Sequence, residues 1–570
     1  MLANLPIARV SGARILFFGA GLVTVAIALW AKGGVDTRGV AGELTPIFLF
    51  LFSTYDYAGA LCGLLILIAA ALVPARFSFR PLLRWIGEHP VKVASLTTAV
   101  LCAGAGLVYR NHPLSMDEFS PLFQSEIFAS GHLTGQFPTP LLDWLIPPPF
   151  QEYFLNVSHA NGNVTSSYWP SFALLLTPFT ALGIPWACNP FICGLTLLAA
   201  HRLALRIFHD VETAGLSILL TVASPVFFAD GISYYSMSAH LLANTVYALL
   251  LSQPTPHRAF MAGLVGSVAL TLHNPVPHIL FAVPWFLWIA RQPDSARRVG
   301  ALLAGYLPLV LLLGFGWFVF ASQLTHEGTG VTAAAATADS YVSVGGAFRL
   351  PTASVLLARA IAIGKVCVWA VPGLVILAGI GGWRWRRHPL CRLLTASALV
   401  TLLGYLIIPF DQGHGWGYRY FHSAWIVLAI LGAGALAPMV APESDRNIVF
   451  ADPSTRTFVV ACALLTLTLG VGLRAVQMRQ FISESMSQEP AYAGTERRVI
   501  IIDPTGSFYG QDLIRNDPWL RGNTIRMITH GPAADAQMMR ANFPELHRVW
   551  AGRFGSVWSA APTQAVGSPR

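Results

Sequence analysis

Long apolar runs separated by short polar links dominate the 570-residue chain. A helix needs ~20 mostly apolar residues to cross a hydrocarbon core of ~30 Å, and the runs approach or exceed that length. We therefore predict about thirteen transmembrane helices from this pattern. Their predicted ranges are 14–31, 46–73, 92–109, 187–206, 213–229, 238–252, 259–274, 276–290, 299–321, 352–381, 391–410, 421–440 and 457–476.

Two regions depart from the pattern of spans. The loop 110–186 is largely polar, and its apolar stretch "YWPSFALLLTPFTALGIPW" is interrupted by prolines, which favour a juxtamembrane or half-inserted helix over a span. In the tail 477–570, "RRVIIIDPTG" predicts a strand that runs into a turn, "GQDLIRND" a short helix, and "NTIRMITHG" a second strand. The predicted fold class is an all-α polytopic membrane protein with a small α/β C-terminal domain outside the membrane.

Composition and charge agree with a membrane protein. Only 11% of the residues are charged and 54% are hydrophobic, whereas a soluble domain has about 25% charged residues. The net charge of +9 comes from basic residues that cluster in short links such as "WRWRRH". The positive-inside rule places these links and the N-terminus in the cytoplasm, and the loop 110–186 and the tail on the opposite face. Membrane lipids, and not nucleic acid, are therefore the expected partners of the basic residues.

An acidic pair, Asp117 and Glu118, opens the large external loop. Ser115 is a candidate N-cap for a helix whose first turn holds both carboxylates, where anions are favourable. Alternatively, one carboxylate is a general base that accepts a proton from a hydroxyl. The two interpretations are compatible, because a helix N-terminus also fixes a carboxylate in place.

The stretch "FDQGHGWGYRYFHS", residues 410–423, lies at the same predicted face of the membrane. Its alternating glycines allow close approach of a ligand. Arg419 is suited to bind a phosphate bidentately, and His414 and Tyr418 are candidate neighbours in the same site. The alternative is an aromatic belt at the membrane interface with an arginine that contacts lipid headgroups.

Three further candidates for substrate binding are His240, His273 and Lys365. Isolated histidines at helix ends are commonly structural, and their spacing here does not match that of metal ligands. We therefore predict no metal site and no cofactor, with a divalent cation as the alternative. Lys365 is expected on an amphipathic segment at the outer interface, where it either neutralises a lipid phosphate or extends to the headgroups.

The motifs together resemble the membrane glycosyltransferases of the GT-C superfamily, and most of all the bacterial relatives of the protein O-mannosyltransferases and of the lipid A aminoarabinose transferase. The likeness rests on "DEFSPLFQSEIFASGHLTG", on "YWPSFALLLTPFTALGIPWACNPFICGLTLLAAHRLALRIF" and on "GHGWGYRYF". It covers residues 92–440. The chain departs from the family pattern in two ways: two additional spans precede the one that leads to the acidic loop, and "SSYWPS" lacks a juxtamembrane lysine, so Arg419 or Lys365 would replace it.

This resemblance implies three regions. Residues 1–91 would form two additional N-terminal transmembrane helices with a basic cytoplasmic link, 92–476 a GT-C-like catalytic core with the external loop 110–186, and 477–570 a periplasmic α/β tail domain. A bacterial inner membrane is the implied location.

The resemblance also implies a function. A sugar would pass, with inversion, from a polyprenyl-phosphate donor to a hydroxyl of a lipid, glycan or protein on the periplasmic face. Asp117 would be the base, by its place in the family motif, with Glu118 as the other candidate. Two functions of other classes remain as alternatives: a transporter or flippase of lipid-linked sugars, and a non-catalytic scaffold of the cell envelope.

Overall fold

The computed structural model describes residues 12–37, 47, 50–74, 76–327, 350–407, 414–438, 453–492 and 494–560. Helices make up most of this part of the chain. Up to the middle of the chain they are α1 Gly12–Thr37, α2 Tyr57–Ala71, α3 Arg80–Glu88, α4 Pro90–Leu107, α5 Met116–Ala129, α6 Leu142–Leu145, α7 Ser171–Ala181, α8 Cys188–Phe208, α9 Val211–Val222, α10 Pro225–Ile232, α11 Met237–Leu251 and α12 Pro256–Leu270.

The remaining helices continue the bundle and end in the tail. They are α13 Val276–Ile289, α14 Ser295–Leu309, α15 Trp317–Thr325, α16 Ala353–Val368, α17 Leu374–Arg384, α18 Pro389–Gly404, α19 Arg419–His422, α20 Trp425–Ala435, α21 Pro453–Leu465, α22 Val471–Met486 and α23 Pro532–Asn542.

The chain is a multi-pass membrane protein. Within the described ranges, seven helical stretches are long and apolar enough to cross a membrane, and the bent pair α9–α10 raises the number to eight. Within the described ranges each predicted span overlaps with helix, but two predicted spans are broken: 213–229 consists of α9 and α10, bent by 62°, and 352–381 consists of α16 and α17. The chain turns between them at Gly373, whose φ of +82° is a conformation that favours glycine. The predicted number of thirteen spans stays a prediction.

The helix predicted for the juxtamembrane stretch is α7, and the loop 110–186 also contains a small sheet that the sequence pattern did not predict. This sheet has the antiparallel order β1-β3-β2, with β1 Gly135–Gln136, β2 Leu155–Val157 and β3 Asn163–Ser166. A two-stranded hairpin, β4 His414–Gly415 and β5 Gly417–Tyr418, lies between α18 and α19. Each strand is too short for a period of two residues to be read from its sequence.

The tail contains a four-stranded sheet with the order β7-β6-β9-β8. Its strands are β6 Arg498–Ile502, β7 Thr524–Ile528, β8 His547–Gly552 and β9 Gly555–Ser559. Strands β6 and β7 are parallel, with Arg498 opposite Thr524, and the other pairs are antiparallel. The two strands predicted from the sequence are β6 and β7, whereas "GQDLIRND" contains only a single 3-10 turn, Gln511–Leu513.

The tail and the loop 110–186 share one hydrophobic core. Alternate residues of β6 face opposite sides of the sheet. Val499 and Ile501 pack into the same cluster as Phe123 of α5, and Ile500 and Ile502 pack against the tail's own loop. This explains why β6 is apolar at every position after Arg498, since a strand covered on both faces has no polar side. The shared core brings the tail against the start of α5.

Candidate active site

Helix α5 presents the acidic pair at its first turn. Ser115, with extended backbone, is the N-cap, and Glu118 completes a capping box with it. The predicted capping role is therefore confirmed. Because Asp117 and Glu118 are adjacent on the helix, their side chains point in different directions and meet different surroundings.

Asp117 is the member of the pair that reaches the accessible space. Its side chain is 18% exposed and is held by two groups that are distant in sequence. Arg419 Nη1 donates to Oδ2 at 2.9 Å, and the Tyr168 hydroxyl donates a short hydrogen bond to Oδ1. A carboxylate has about four lone-pair positions, so these two bonds leave acceptor capacity on both oxygens.

The surroundings keep Asp117 ionised. Burial acts to raise the pKa of Asp117, but the charge of Arg419, with contributions from His273 and the Tyr168 hydrogen bond, outweighs burial and holds the pKa below its usual value. At neutral pH the carboxylate is therefore charged and able to accept a proton.

Arg419 is positioned by the β4–β5 hairpin. Gly417 has φ +82°, and a Cβ built on it would lie 2.5 Å from Val226 Cγ2, so this turn requires glycine. The Arg419 guanidinium stacks on the Tyr235 ring at 4.6 Å, and the Tyr235 hydroxyl is 3.0 Å from Ser115 Oγ. The glycines that suggested ligand approach in the sequence thus also let the chain turn Arg419 towards Asp117.

Glu118 points away from Asp117 into the protein and is completely buried. Its Oε2 accepts from the Tyr109 hydroxyl at 3.0 Å, from Leu114 N at 2.8 Å and from Ser115 N at 3.3 Å, and its Oε1 accepts from Tyr234 N at 2.9 Å. Burial raises the pKa of Glu118 to about 7, although the four hydrogen bonds lower it. This geometry favours a positioning role for Glu118 over the catalytic role considered from the sequence.

Replacing Glu118 by glutamine is expected to lower the free energy of unfolding by about 1 to 3 kcal/mol, because the amide nitrogen cannot accept and leaves a buried donor unpaired. Denaturant unfolding of the purified protein in micelles measures this. The substitution Glu152→Gln, at an exposed residue of the loop 110–186, is the matched control, with an expected change within about 0.5 kcal/mol. Equal stability of the two variants would contradict the role of Glu118.

The other predicted site residues differ in their contacts with the Asp117 site. His273 joins the Asp117 site, since its ring lies 4.2 Å from the Tyr168 ring, centroid to centroid. Tyr418 is buried in β5, 5.9 Å from the Tyr420 ring. His240 is completely buried, and neither ring nitrogen has a hydrogen-bond partner among the described residues. The backbone of His414 lies in β4, and its side chain is outside the described residues.

Lys365 belongs to an ion-pair cluster with Asp56 and Arg474. Asp56 lies 3.2 Å from Lys365 Nζ and 3.1 Å from Arg474 Nη2, and it accepts from Trp369 Nε1 at 2.6 Å. All three charged side chains are buried. Lys365 therefore does not lie at the outer interface as predicted but in the protein interior, because Asp56 supplies an opposite charge there.

Replacing Asp56 by asparagine is expected to lower the free energy of unfolding by about 3 to 5 kcal/mol, because two buried cations lose their counter-ion. The matched control is Glu88→Gln, which removes the exposed pair with Arg84 and should cost at most about 0.5 kcal/mol. Denaturant unfolding in micelles compares the two. If both variants were equally stable, Asp56 would not be the counter-ion of this cluster.

Sequence reasoning missed two aromatic members of the site, Tyr168 and Tyr235. Tyr168 lies in "SSYWPS", next to the position where a lysine was expected. This is the one feature of the sequence that could have identified Tyr168 as a site residue. Within the described ranges, no group of three or more His, Cys, Asp or Glu side chains is arranged to hold a metal ion.

Solved structures of two kinds of protein are similar to this chain. ArnT from Cupriavidus metallidurans bound to undecaprenyl phosphate has a TM-score of 0.50 and 11% identity, over 84% of this chain and 99% of that chain. The apo state of the same ArnT has a TM-score of 0.48 and 12% identity, over 82% and 97%. An oligosaccharyltransferase from Archaeoglobus fulgidus has a TM-score of 0.33 and 13% identity, over 70% and 53%.

The likeness to ArnT shows that this chain has the same fold as ArnT. The predicted class of a helical multi-pass membrane protein with a small α/β tail is therefore confirmed, and the number of spans stays a prediction. No protein-family model and no curated protein matches the sequence.

Proposed function

We propose that this protein is an inverting glycosyltransferase that moves a sugar from a polyprenyl-phosphate donor to a hydroxyl of a lipid, glycan or protein acceptor. The observation that carries the proposal is the Asp117 carboxylate, which is partly exposed and held by Arg419 and Tyr168 within a GT-C fold. ArnT of this fold binds undecaprenyl phosphate. A lipid-linked phosphate is therefore the donor class that we infer.

The proposed reaction uses two charged groups. Asp117 takes the proton of the acceptor hydroxyl while the hydroxyl oxygen bonds to the anomeric carbon, from the face opposite the phosphate. The bond from the anomeric carbon to the phosphate oxygen breaks, and the phosphate leaves with the electron pair. Arg419 stabilises the developing charge on the phosphate. A guanidinium has five N–H donors, so the bond from Nη1 to Asp117 does not prevent a second bond to phosphate.

The predicted position of Asp117 relative to the membrane supports the same function. Arg-rich links such as "WRWRRH" favour a cytoplasmic side opposite the external loop, so we propose that Asp117 and the tail lie on the periplasmic face of a bacterial inner membrane. There a polyprenyl chain remains in the bilayer, its phosphate lies at the interface, and a hydroxyl acceptor arrives from water. The N-terminus is then cytoplasmic.

A transfer assay tests the proposed function. Membranes that contain the wild-type protein are incubated with a radiolabelled polyprenyl-phosphate sugar and extracted envelope material, beside membranes without the protein. We expect label to leave the donor and appear in the acceptor fraction only when the protein is present. Equal label in the acceptor fraction of both membranes would reject the glycosyltransferase.

A further inference from the structure

The tail reaches into the proposed active site through its loop 509–515. Asp512 Oδ1 accepts a hydrogen bond of 2.7 Å from the backbone N–H of Met116, the first residue of α5. The two residues are 396 positions apart in the sequence. Asp512 is 9% exposed, so this contact is shielded from water.

A second residue of the same loop holds the chain just before α5. Arg515 donates from Nη1 to the carbonyl of Pro113, and its Nη2 lies 2.8 Å from His112 Nε2. Its Nε also donates to the carbonyl of Asp512 at 2.5 Å. The loop therefore contacts both the first N–H of the helix and the turn that precedes it.

The loop is itself fixed to the sheet of the tail. Asn516 exchanges two hydrogen bonds with the backbone of Arg526 in β7, both of 2.8 Å. Leu513 and Ile514 are buried against Ile500 and Ile502 of β6. Asp512 thus projects from a loop that the sheet of the tail supports, and Tyr509 at the start of the same loop packs against Phe481 of α22.

The contact has a direct consequence for Asp117, the next residue after Met116. The first N–H groups of a helix have no partner within the helix, and an oxygen acceptor there stabilises the first turn. We propose that Asp512 is a positioning residue that fixes the start of α5, and with it the Asp117 carboxylate, so that the tail domain completes the catalytic centre. This rests on the proposed function of Asp117.

The test compares Asp512→Ala with Asp512→Asn in the full-length protein. Asparagine keeps an oxygen that accepts from Met116 N, and alanine does not. Because a catalytic group misplaced by about 1 Å costs roughly 100-fold, we expect kcat of Asp512→Ala to fall about 10- to 100-fold with KM for the donor nearly unchanged. Asp512→Asn should restore most of the loss.

The control is Asp503→Ala, because Asp503 also accepts one backbone bond in the tail, from Thr505 N at 2.9 Å, without contacting α5. Hydrogen exchange of the peptides over 114–120 and 498–502 is measured in each variant. Asp512→Ala should speed exchange over 114–120 and leave β6 protected, and the control should change neither.

Unchanged exchange over 114–120 in Asp512→Ala, or equal losses of kcat in the alanine and asparagine variants, would overturn the positioning role. The exchange measurement needs no turnover. If the wild type transferred no sugar, the proposed function would fail. The hydrogen exchange over 114–120 would still show whether Asp512 fixes the start of α5.

Discussion

Replacing Asp117 by asparagine is expected to slow sugar transfer by about two to four orders of magnitude, the range in which a general base contributes. The amide has the same size as the carboxylate and keeps one accepting oxygen, for the bond from either Tyr168 or Arg419, but it cannot take a proton from the acceptor. Initial rates of transfer from a radiolabelled polyprenyl-phosphate sugar, in membranes with equal amounts of protein, measure the loss.

The matched control for this substitution is Asp143→Asn. Asp143 is an exposed residue of the same external loop and accepts from Gln151 Nε2 at 2.9 Å. Its replacement makes the same chemical change outside the site and should leave the rate within about two-fold of the wild type, since surface substitutions have small effects. Comparable rates for Asp117→Asn and Asp143→Asn would remove Asp117 from the mechanism.

Replacing Arg419 by glutamine is expected to lower kcat by about two to three orders of magnitude, as loss of a group that stabilises transition-state charge does. The change removes the cation proposed for the leaving phosphate and frees Asp117 from its 2.9 Å bond. Arg497→Gln is the control, because Arg497 is an exposed arginine of the tail. An unchanged kcat for Arg419→Gln would show that another cation stabilises the leaving phosphate.

The same variant should change the pH dependence of the remaining activity. Arg419 holds the pKa of Asp117 below its usual value against the effect of burial, so its loss raises that pKa. A general base must be ionised, and the acidic limb of the pH–rate profile should therefore move to higher pH. Rates measured from pH 4 to 8 give this limb, and an unmoved limb would mean that Asp117 is not the group that titrates.

Local features of the fold were predictable from the sequence. Span lengths are set by the thickness of the bilayer, so the apolar runs identified the helices. Strand β6 was recognisable as an apolar run that ends in "DPTG". The break between α16 and α17 was missed because the segment is apolar throughout and was taken as one span, although it contains Pro372 and Gly373, a dipeptide that favours a turn.

Contacts between distant segments were the part that sequence alone did not supply. Asp117 and Arg419 were both singled out, but their pairing across 302 positions depends on how the helices pack. Lys365 was expected at the membrane surface because its partner could not be identified from the sequence. That partner, Asp56, lies 309 positions earlier in a different helix-forming segment. Asp512 carried no signal at all, since a short polar turn in a tail domain gives no indication of what it docks against.

Single-turnover transfer by purified protein in nanodiscs decides whether Asp117 is the general base, because it separates donor binding from chemistry. Protein in excess is mixed with a radiolabelled polyprenyl-phosphate sugar and extracted acceptor, and both bound donor and transferred label are followed in time. If Asp117 is the general base, the wild type and Asp117→Asn should bind the donor equally, and label should then pass to the acceptor about 100- to 10,000-fold more slowly in the variant. Transfer at the same single-turnover rate in both proteins would contradict it.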